Sequence, residues 1–197
     1  MGCGATIKKY SDEGKEVIIV VFTNGEQSSP WLNKDILIEE RIKESIMIDK
    51  YLGCKDTIFM MVPDGKVKEK AKSKRFILDI AKIINYYKPS KIFTHSMYDP
   101  HPDHQGTQEA VIKALEIVDK KKKISLYSFE IWNIINETSP RIYVDVSRTF
   151  WKKIKAMRMF KSQKIFVYSL LMHVIIRAFF SGLHAKCRYA ERFYKVR

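Results

Sequence analysis

The sequence predicts a three-layer α/β protein, with helices on both faces of a mainly parallel sheet. Two observations carry this. Short β-branched runs such as Glu16–Thr23 alternate along the chain with amphipathic segments such as Lys72–Tyr87, with short connections between them. The leading run is continuously apolar and does not alternate with polar residues, which marks a strand buried on both faces. With 197 residues and 46% hydrophobic composition, the chain can bury one substantial core, so residues 1–197 read as a single domain.

In order, residues 5–13 can form a short helix that Gly14 ends, because glycine tolerates the left-handed conformation of a helix C-cap. Glu16–Thr23 is then a buried strand, broken by Asn24-Gly25. In a parallel sheet a helix lies between two strands, so a helix followed by a buried strand implies a further strand before residue 1. The first strand is therefore expected to be missing from these 197 residues.

Asp35–Tyr51 reads as a helix closed by Leu52-Gly53, with Ile38, Ile42, Ile46 and Ile48 as apolar positions. Arg41 and Glu44 stand one turn apart, a spacing that suits an exposed ion pair worth a few tenths of a kcal/mol. Thr57–Val62 is a second strand and Pro63-Asp64-Gly65 a turn. Helix Lys72–Tyr87 has its apolar residues, from Phe76 to Tyr87, on one 3.6-residue face. Pro89-Ser90 stops it, and Lys91–Thr94 is a third strand.

A helix beginning near Gln105 carries Ala110, Val111, Ala114, Leu115 and Val118 and ends in Lys120–Lys123. Strands Ile124–Trp132 and Ile142–Val146 follow, joined by a polar turn over residues 136–140, and some antiparallel pairing is possible here. Thr149–Gln163 is a further helix. Ile165–Leu183 approaches the length that spans a bilayer, but His173 and Arg177 would be costly at mid-membrane. It reads as a core-packed or site-covering helix, with membrane-surface contact the minority reading.

The formal net charge is +14. Apart from Lys120–Lys123 and a scatter from Lys66 to Arg75, the basic residues are dispersed, as on solvated helix faces. No nucleic-acid-binding module accompanies them, so no specific nucleic-acid partner is expected. Three cysteines without paired spacing argue against a disulfide framework, and the first residues lack a secretory signal; the expectation is a reduced, cytoplasmic protein. The sequence leaves the oligomeric state open.

Chemistry concentrates in one ten-residue stretch, His95-Ser-Met-Tyr-Asp99-Pro-His101-Pro-Asp103-His104, between a strand and a helix. Open α/β sheets place their active sites at such strand ends. Pro102 suits the first helical turn and leaves His101 and His104 near its amino end. Imidazoles at i and i+3 can converge on a metal or a reacting carbonyl; they can also simply cap a helix or meet a carboxylate. Asp99 and Asp103 are close enough to fix an imidazole tautomer, which favours catalysis.

Together these residues resemble the PIG-L/LmbE-like deacetylases. The resemblance rests on His101-Pro-Asp-His104, Phe22-Thr-Asn-Gly-Glu26, Arg41-x-x-Glu44, Leu52-Gly53 and Pro63-Asp64-Gly65. It continues through Lys155-Ala-Met with Ser162-Gln163 and through Tyr189-Ala-Glu191-x-Phe193, in order over nearly the whole chain. It implies a Rossmann-like fold and a zinc-dependent hydrolase that removes an acetyl group from an N-acetylated sugar, glycoconjugate or related amide. By the same resemblance His104 is a zinc ligand, and His101 stabilises the oxyanion and protonates the departing amine. Asp103 orients His101, while Arg41 and Asp64 face the substrate. Zinc lowers the pKa of bound water and polarises an amide oxygen, and a cationic imidazole stabilises charge where it develops.

Members of that family carry an Ala-His-Pro-Asp-Asp-Glu-like segment at the end of their first strand, which supplies two further ligands and the general base. These 197 residues hold no such segment. The expectation is therefore an N-terminally truncated chain, inactive or impaired as it stands. The alternative is a non-catalytic protein that binds a sugar or nucleotide-sugar.

Overall fold

A computed structural model describes residues 2–27, 33–131 and 139–197. The expected strand end at Trp132 and turn residues 136–138 lie outside them. The chain divides into two compact units, Met1–Asp64 with Tyr143–Arg192, and Gly65–Ile142 with Phe193–Arg197. The strands lie in two sheets, one of two strands and one of four, where the sequence suggests a single sheet; the α/β class holds.

In the first unit, α1 (Gly4–Asp12) precedes β1 (Ile18–Thr23), α2 (Lys34–Leu52) and β2 (Asp56–Val62). Strands β1 and β2 pair in parallel, from Ile18 opposite Asp56 to Thr23 opposite Val62. Every β1 residue is only partly buried, where the apolar run suggests full burial. Among the described residues β1 has a strand on one edge only. Helix α2 starts where the Asn33 side chain accepts the Asp35 N–H at 2.9 Å and stops at Gly53, whose φ of 82° is the left-handed C-cap conformation.

Helix α6 (Phe150–Arg158) supplies the centre of this unit's core. Phe150, Ile154 and Met157 pack with Ala5, Val146, Tyr189 and two residues of α7 (Lys164–His184), Val167 and Ala178. The amino end of α1 is closed by Glu191. Its carboxylate accepts the N–H of Ala5 at 3.2 Å and of Thr6 at 2.7 Å, and lies 2.6 Å from Lys153 Nζ, with both side chains buried. A helix start exposes unpaired N–H groups and positive potential, so a carboxylate there answers both. The Tyr189-Ala-Glu191 motif thus ties the end of the chain to its start.

Helix α7 departs from the core-packed reading. Only Val167, Ala178, Ser181 and Gly182 are buried, and most of its large apolar side chains face outward.

The second unit holds α3 (Val67–Lys70), α4 (Lys74–Tyr87), β3 (Lys91–His95), α5 (Pro102–Val118) and β4 (Ser125–Phe129). Helix α4 buries Phe76, Ile80, Ala81 and Ile84, the face its periodicity predicts. Strand β3 pairs in parallel with β4, His95 opposite Phe129. β4 pairs antiparallel with β6 (Ala190–Lys195), Phe129 opposite Phe193. With β5 (Arg141–Asp145) the order is β3-β4-β6-β5. Strand β6 has no clear sequence signature, because Glu191 and Arg192 interrupt its apolar residues; yet Phe193 and Tyr194 are fully buried.

Candidate functional site

The stretch from His95 to His104 folds into one cluster. Thr94 and Ser96 are buried on either side of His95, which places this imidazole at the carboxyl end of β3. The chain then turns through Asp99, where the His101 N–H donates to Asp99 Oδ1 at 2.9 Å. His101 is the N-cap of α5 and Pro102 occupies the first turn, where a missing N–H costs nothing. The helix starts three residues before Gln105, because His101 caps it with its ring.

That cap fixes the ring's chemistry. His101 Nδ1 accepts the Asp103 N–H at 3.2 Å, so in this tautomer the proton sits on Nε2. The exposed ring therefore offers Nε2–H as a donor, and the neutral form satisfies the cap where the sequence suggested a cationic imidazole. The Asp103 carboxylate does something other than orient His101. It is buried, and it accepts the Gly65 N–H at 2.6 Å and the Val67 N–H at 3.0 Å. Asp103 positions His101 through its backbone, while its side chain pins the start of α5 to the turn leading into α3. Gly106 allows that approach: a Cβ there would lie 2.6 Å from the Lys68 backbone.

His104 stacks on His95 with ring centroids 4.2 Å apart and planes 9° apart, and lies 4.7 Å from the His101 ring. Asp99, 1% exposed, brings Oδ1 to 2.9 Å from His104 Nδ1; the contact is close but not aligned as a hydrogen bond. Burial pushes the His104 imidazole below its ordinary pKa despite Asp99, and burial, then the neighbouring imidazoles, pushes His95 well below. Both rings are neutral near pH 7. His104 is therefore a neutral imidazole with a carboxylate behind Nδ1 and Nε2 left to ligate, the usual arrangement of a metal-binding histidine.

His95 Nδ1, His104 Nδ1 and Asp99 Oδ2 are buried without a hydrogen-bond partner. Such atoms are costly unless something meets them. The rings nonetheless stack instead of converging on a point, and among the described residues no group of three or more His, Cys, Asp or Glu could hold a metal. His104 suits zinc as one ligand; the described set does not fit the ion by itself.

Arg41 and Asp64 belong to the first unit. Asp64 Oδ1 accepts the Gly25 N–H at 3.2 Å and Oδ2 the Gln27 N–H at 2.9 Å, so its carboxylate holds the turn after β1. Arg41 lies with its guanidinium 5.4 Å from the Phe160 ring and beneath Gly25, where a Cβ would come within 2.8 Å of Arg41 Nε. Its Nε and Nη1 are buried and unpartnered, and burial lowers its pKa against the opposing pull of Glu44 and Asp64. It is not the exposed partner of Glu44. Glu44 instead accepts the Ser162 N–H at 3.0 Å and hydroxyl at 2.6 Å. A buried guanidinium with idle donors is suited to an oxygen-rich anion or a carbonyl.

Sequence reasoning left His95 and Asp99 in secondary roles. Their signal was present: His95 closes a strand, and Asp99 precedes His101 by the two residues that a side-chain-to-backbone turn requires.

Comparison with known proteins gives the family and the fold. The family described as PIG-L: GlcNAc-PI de-N-acetylase matches residues 1–115. A probable N-acetyl-alpha-D-glucosaminyl L-malate deacetylase 2 of Bacillus anthracis is 27% identical over 168 residues, 80% of this chain and 73% of that protein. The N,N'-diacetylchitobiose deacetylase of Pyrococcus horikoshii, solved with an inhibitor, superposes with a TM-score of 0.82 at 26% identity, covering 99% of this chain and 78% of that one. The 4-carboxy-2-hydroxymuconate hydratase GalB of Pseudomonas putida superposes with a TM-score of 0.84 at 16% identity, over 98% and 89%. The last likeness shows the fold alone, since one fold hosts different reactions.

Proposed function

Because the chain belongs to the PIG-L (GlcNAc-PI de-N-acetylase) family, whose relatives named above include deacetylases, we propose that it removes the acetyl group from an N-acetylglucosamine-type sugar or glycoconjugate in a zinc-dependent hydrolysis. The observation that carries this reading is the pairing of His101 and His104, one exposed with a fixed Nε2–H, the other backed by a buried carboxylate.

In the proposed reaction water adds to the amide carbon, one of its protons passes to the departing nitrogen and the C–N bond breaks, so that acetic acid and the free amine leave. His101 donates an Nε2–H hydrogen bond to the acetyl oxygen as negative charge develops there. The cap from the Asp103 N–H fixes the tautomer beforehand, so no reorganisation is needed as the bond to the amide carbon forms. Asp103 holds the start of α5 against the Gly65–Val67 turn, which keeps the ring in place. His104 would hold zinc as one ligand, and the ion would supply a bound water of lowered pKa. One imidazole holds the ion weakly, so turnover by these 197 residues is expected to be slow and to need zinc in excess.

The test is amine release from an N-acetylglucosamine conjugate as zinc is titrated. His101→Ala should lower kcat by about 10²–10³, the usual worth of one oxyanion donor. His104→Ala should remove the zinc dependence together with the activity. Turnover that ignores zinc, or that survives His104→Ala, overturns the proposal. Saturable sugar binding without amine release would instead identify a non-catalytic binder built on this fold.

A further inference from the structure

Helix α7 has an outer face that is largely exposed, with the Arg158 guanidinium 6.0 Å from the Tyr168 ring. Ile165, Tyr168, Met172, Ile176, Phe180 and Leu183 recur at steps of three and four, so they line one side of the helix. Each is between 47% and 85% exposed. The opposite side, with Val167 and Ala178, packs into the core beside Phe150 and Ile154. Soluble proteins rarely leave so long an apolar stripe in water unless it meets a partner.

The charges around the stripe say what that partner is. Between Asp145 and Glu191 the chain has ten Lys and Arg and no acidic residue. Lys161 and Lys164 stand exposed at one end of α7, Lys186 and Arg188 at the other. A second copy laid along the stripe, parallel or antiparallel, would set cation against cation at both ends. An anionic surface is attracted at both ends instead.

The helix is long and apolar enough to cross a membrane by composition, but one side of it already packs on the protein core. A spanning helix on its own meets lipid all round, and α7 already spends one side on the protein core. At Gly182 it touches the backbone of Cys187 and Arg188 so closely that a Cβ would lie 2.6 Å from the Cys187 carbonyl oxygen. It can still lie flat. Its 21 residues extend about 30 Å at 1.5 Å each.

We propose that α7 docks the protein on an anionic phospholipid bilayer, parallel to its surface. The apolar stripe enters the acyl-chain boundary and the terminal Lys and Arg sit at the level of the lipid phosphates. The assignment rests on unit-one geometry and charge alone and is independent of the deacetylase reading.

Co-sedimentation of the whole chain with vesicles of phosphatidylcholine, with and without phosphatidylglycerol, tests it. The protein should pellet with the anionic vesicles, far less with the neutral ones, and less again as salt rises. The double variant Ile176→Ser/Phe180→Ser should bind about tenfold or more weakly, with an unchanged far-UV circular dichroism spectrum, since both side chains point outward. Lys161→Gln/Lys164→Gln leaves the stripe intact and should weaken anionic binding severalfold. Failure to bind anionic vesicles overturns the proposal. So does equal binding by a folded double variant, or a dimer that the serine variants dissolve while vesicles are ignored.

Discussion

Replacing Asp103 with asparagine separates two roles that the sequence alone cannot. The carboxylate accepts two backbone N–H groups, from Gly65 at 2.6 Å and Val67 at 3.0 Å, in a buried position. Hydrogen bonds to a charged group are worth about 1.5–3 kcal/mol each. An asparagine amide keeps one acceptor oxygen and turns its NH₂ toward the other N–H, so one bond becomes neutral and one donor is orphaned. The expected loss is about 2–4 kcal/mol. With a urea m-value of about 2 kcal/mol/M for a chain of this size, the unfolding midpoint should drop by about 1–2 M. The His101 tautomer is held by the residue-103 backbone N–H, which the substitution leaves in place. Turnover measured well below the midpoint should therefore fall only modestly. A midpoint within about 0.3 M of the parent, with turnover abolished, would refute this and show that the carboxylate works through His101.

Other substitutions probe the packing that carries the site. Gly106→Ala drives a methyl into the Val67–Lys68 backbone and should cost about 1–3 kcal/mol of stability by urea unfolding, with correspondingly reduced turnover. Lys153→Met leaves the buried Glu191 carboxylate without its cation and should cost about 3–5 kcal/mol, most of it regained in Lys153→Met/Glu191→Gln. Asp49→Asn should do the opposite. Burial pushes the Asp49 carboxyl up to about 6 from the ordinary 3.8, against a Thr57 hydrogen bond. Above pH 6 the group is ionised folded and unfolded, and the full cost of the buried charge is present; as pH falls from 6 toward 3.8 the folded state protonates first and the cost disappears. Asp49→Asn should thus stabilise by about 1–3 kcal/mol above pH 6 and by little near 3.8, as unfolding curves at the two pH values would reveal.

Most elements were legible because local physics writes them. Gly53 closes α2 where only a left-handed residue can, and α4 advertises its buried face by periodicity. Elements defined by tertiary partners were not. Strand β6 carries Glu191 and Arg192 in its middle, which look wrong for a strand until Glu191 is seen closing the start of α1. The composition of α7 could not reveal which side it buries, because apolar residues lie on both sides of its polar positions Ser169, His173 and Arg177.

The same division runs through the candidate site. Sequence by itself determined that His95, Asp99, His101 and His104 meet at the end of β3, since four polar residues within ten positions, between a strand and a proline-started helix, cannot move far apart. It could not decide what each atom touches. Only the folded chain turned the Asp103 carboxylate to the Gly65–Val67 turn, gave His101 Nδ1 to a backbone N–H, and, in the first unit, left Arg41 Nε and Nη1 buried without a partner while Glu44 took Ser162. Spacing along a chain sets which groups are neighbours; hydrogen bonds a few ångströms long, made to residues remote in sequence, set what those groups can do.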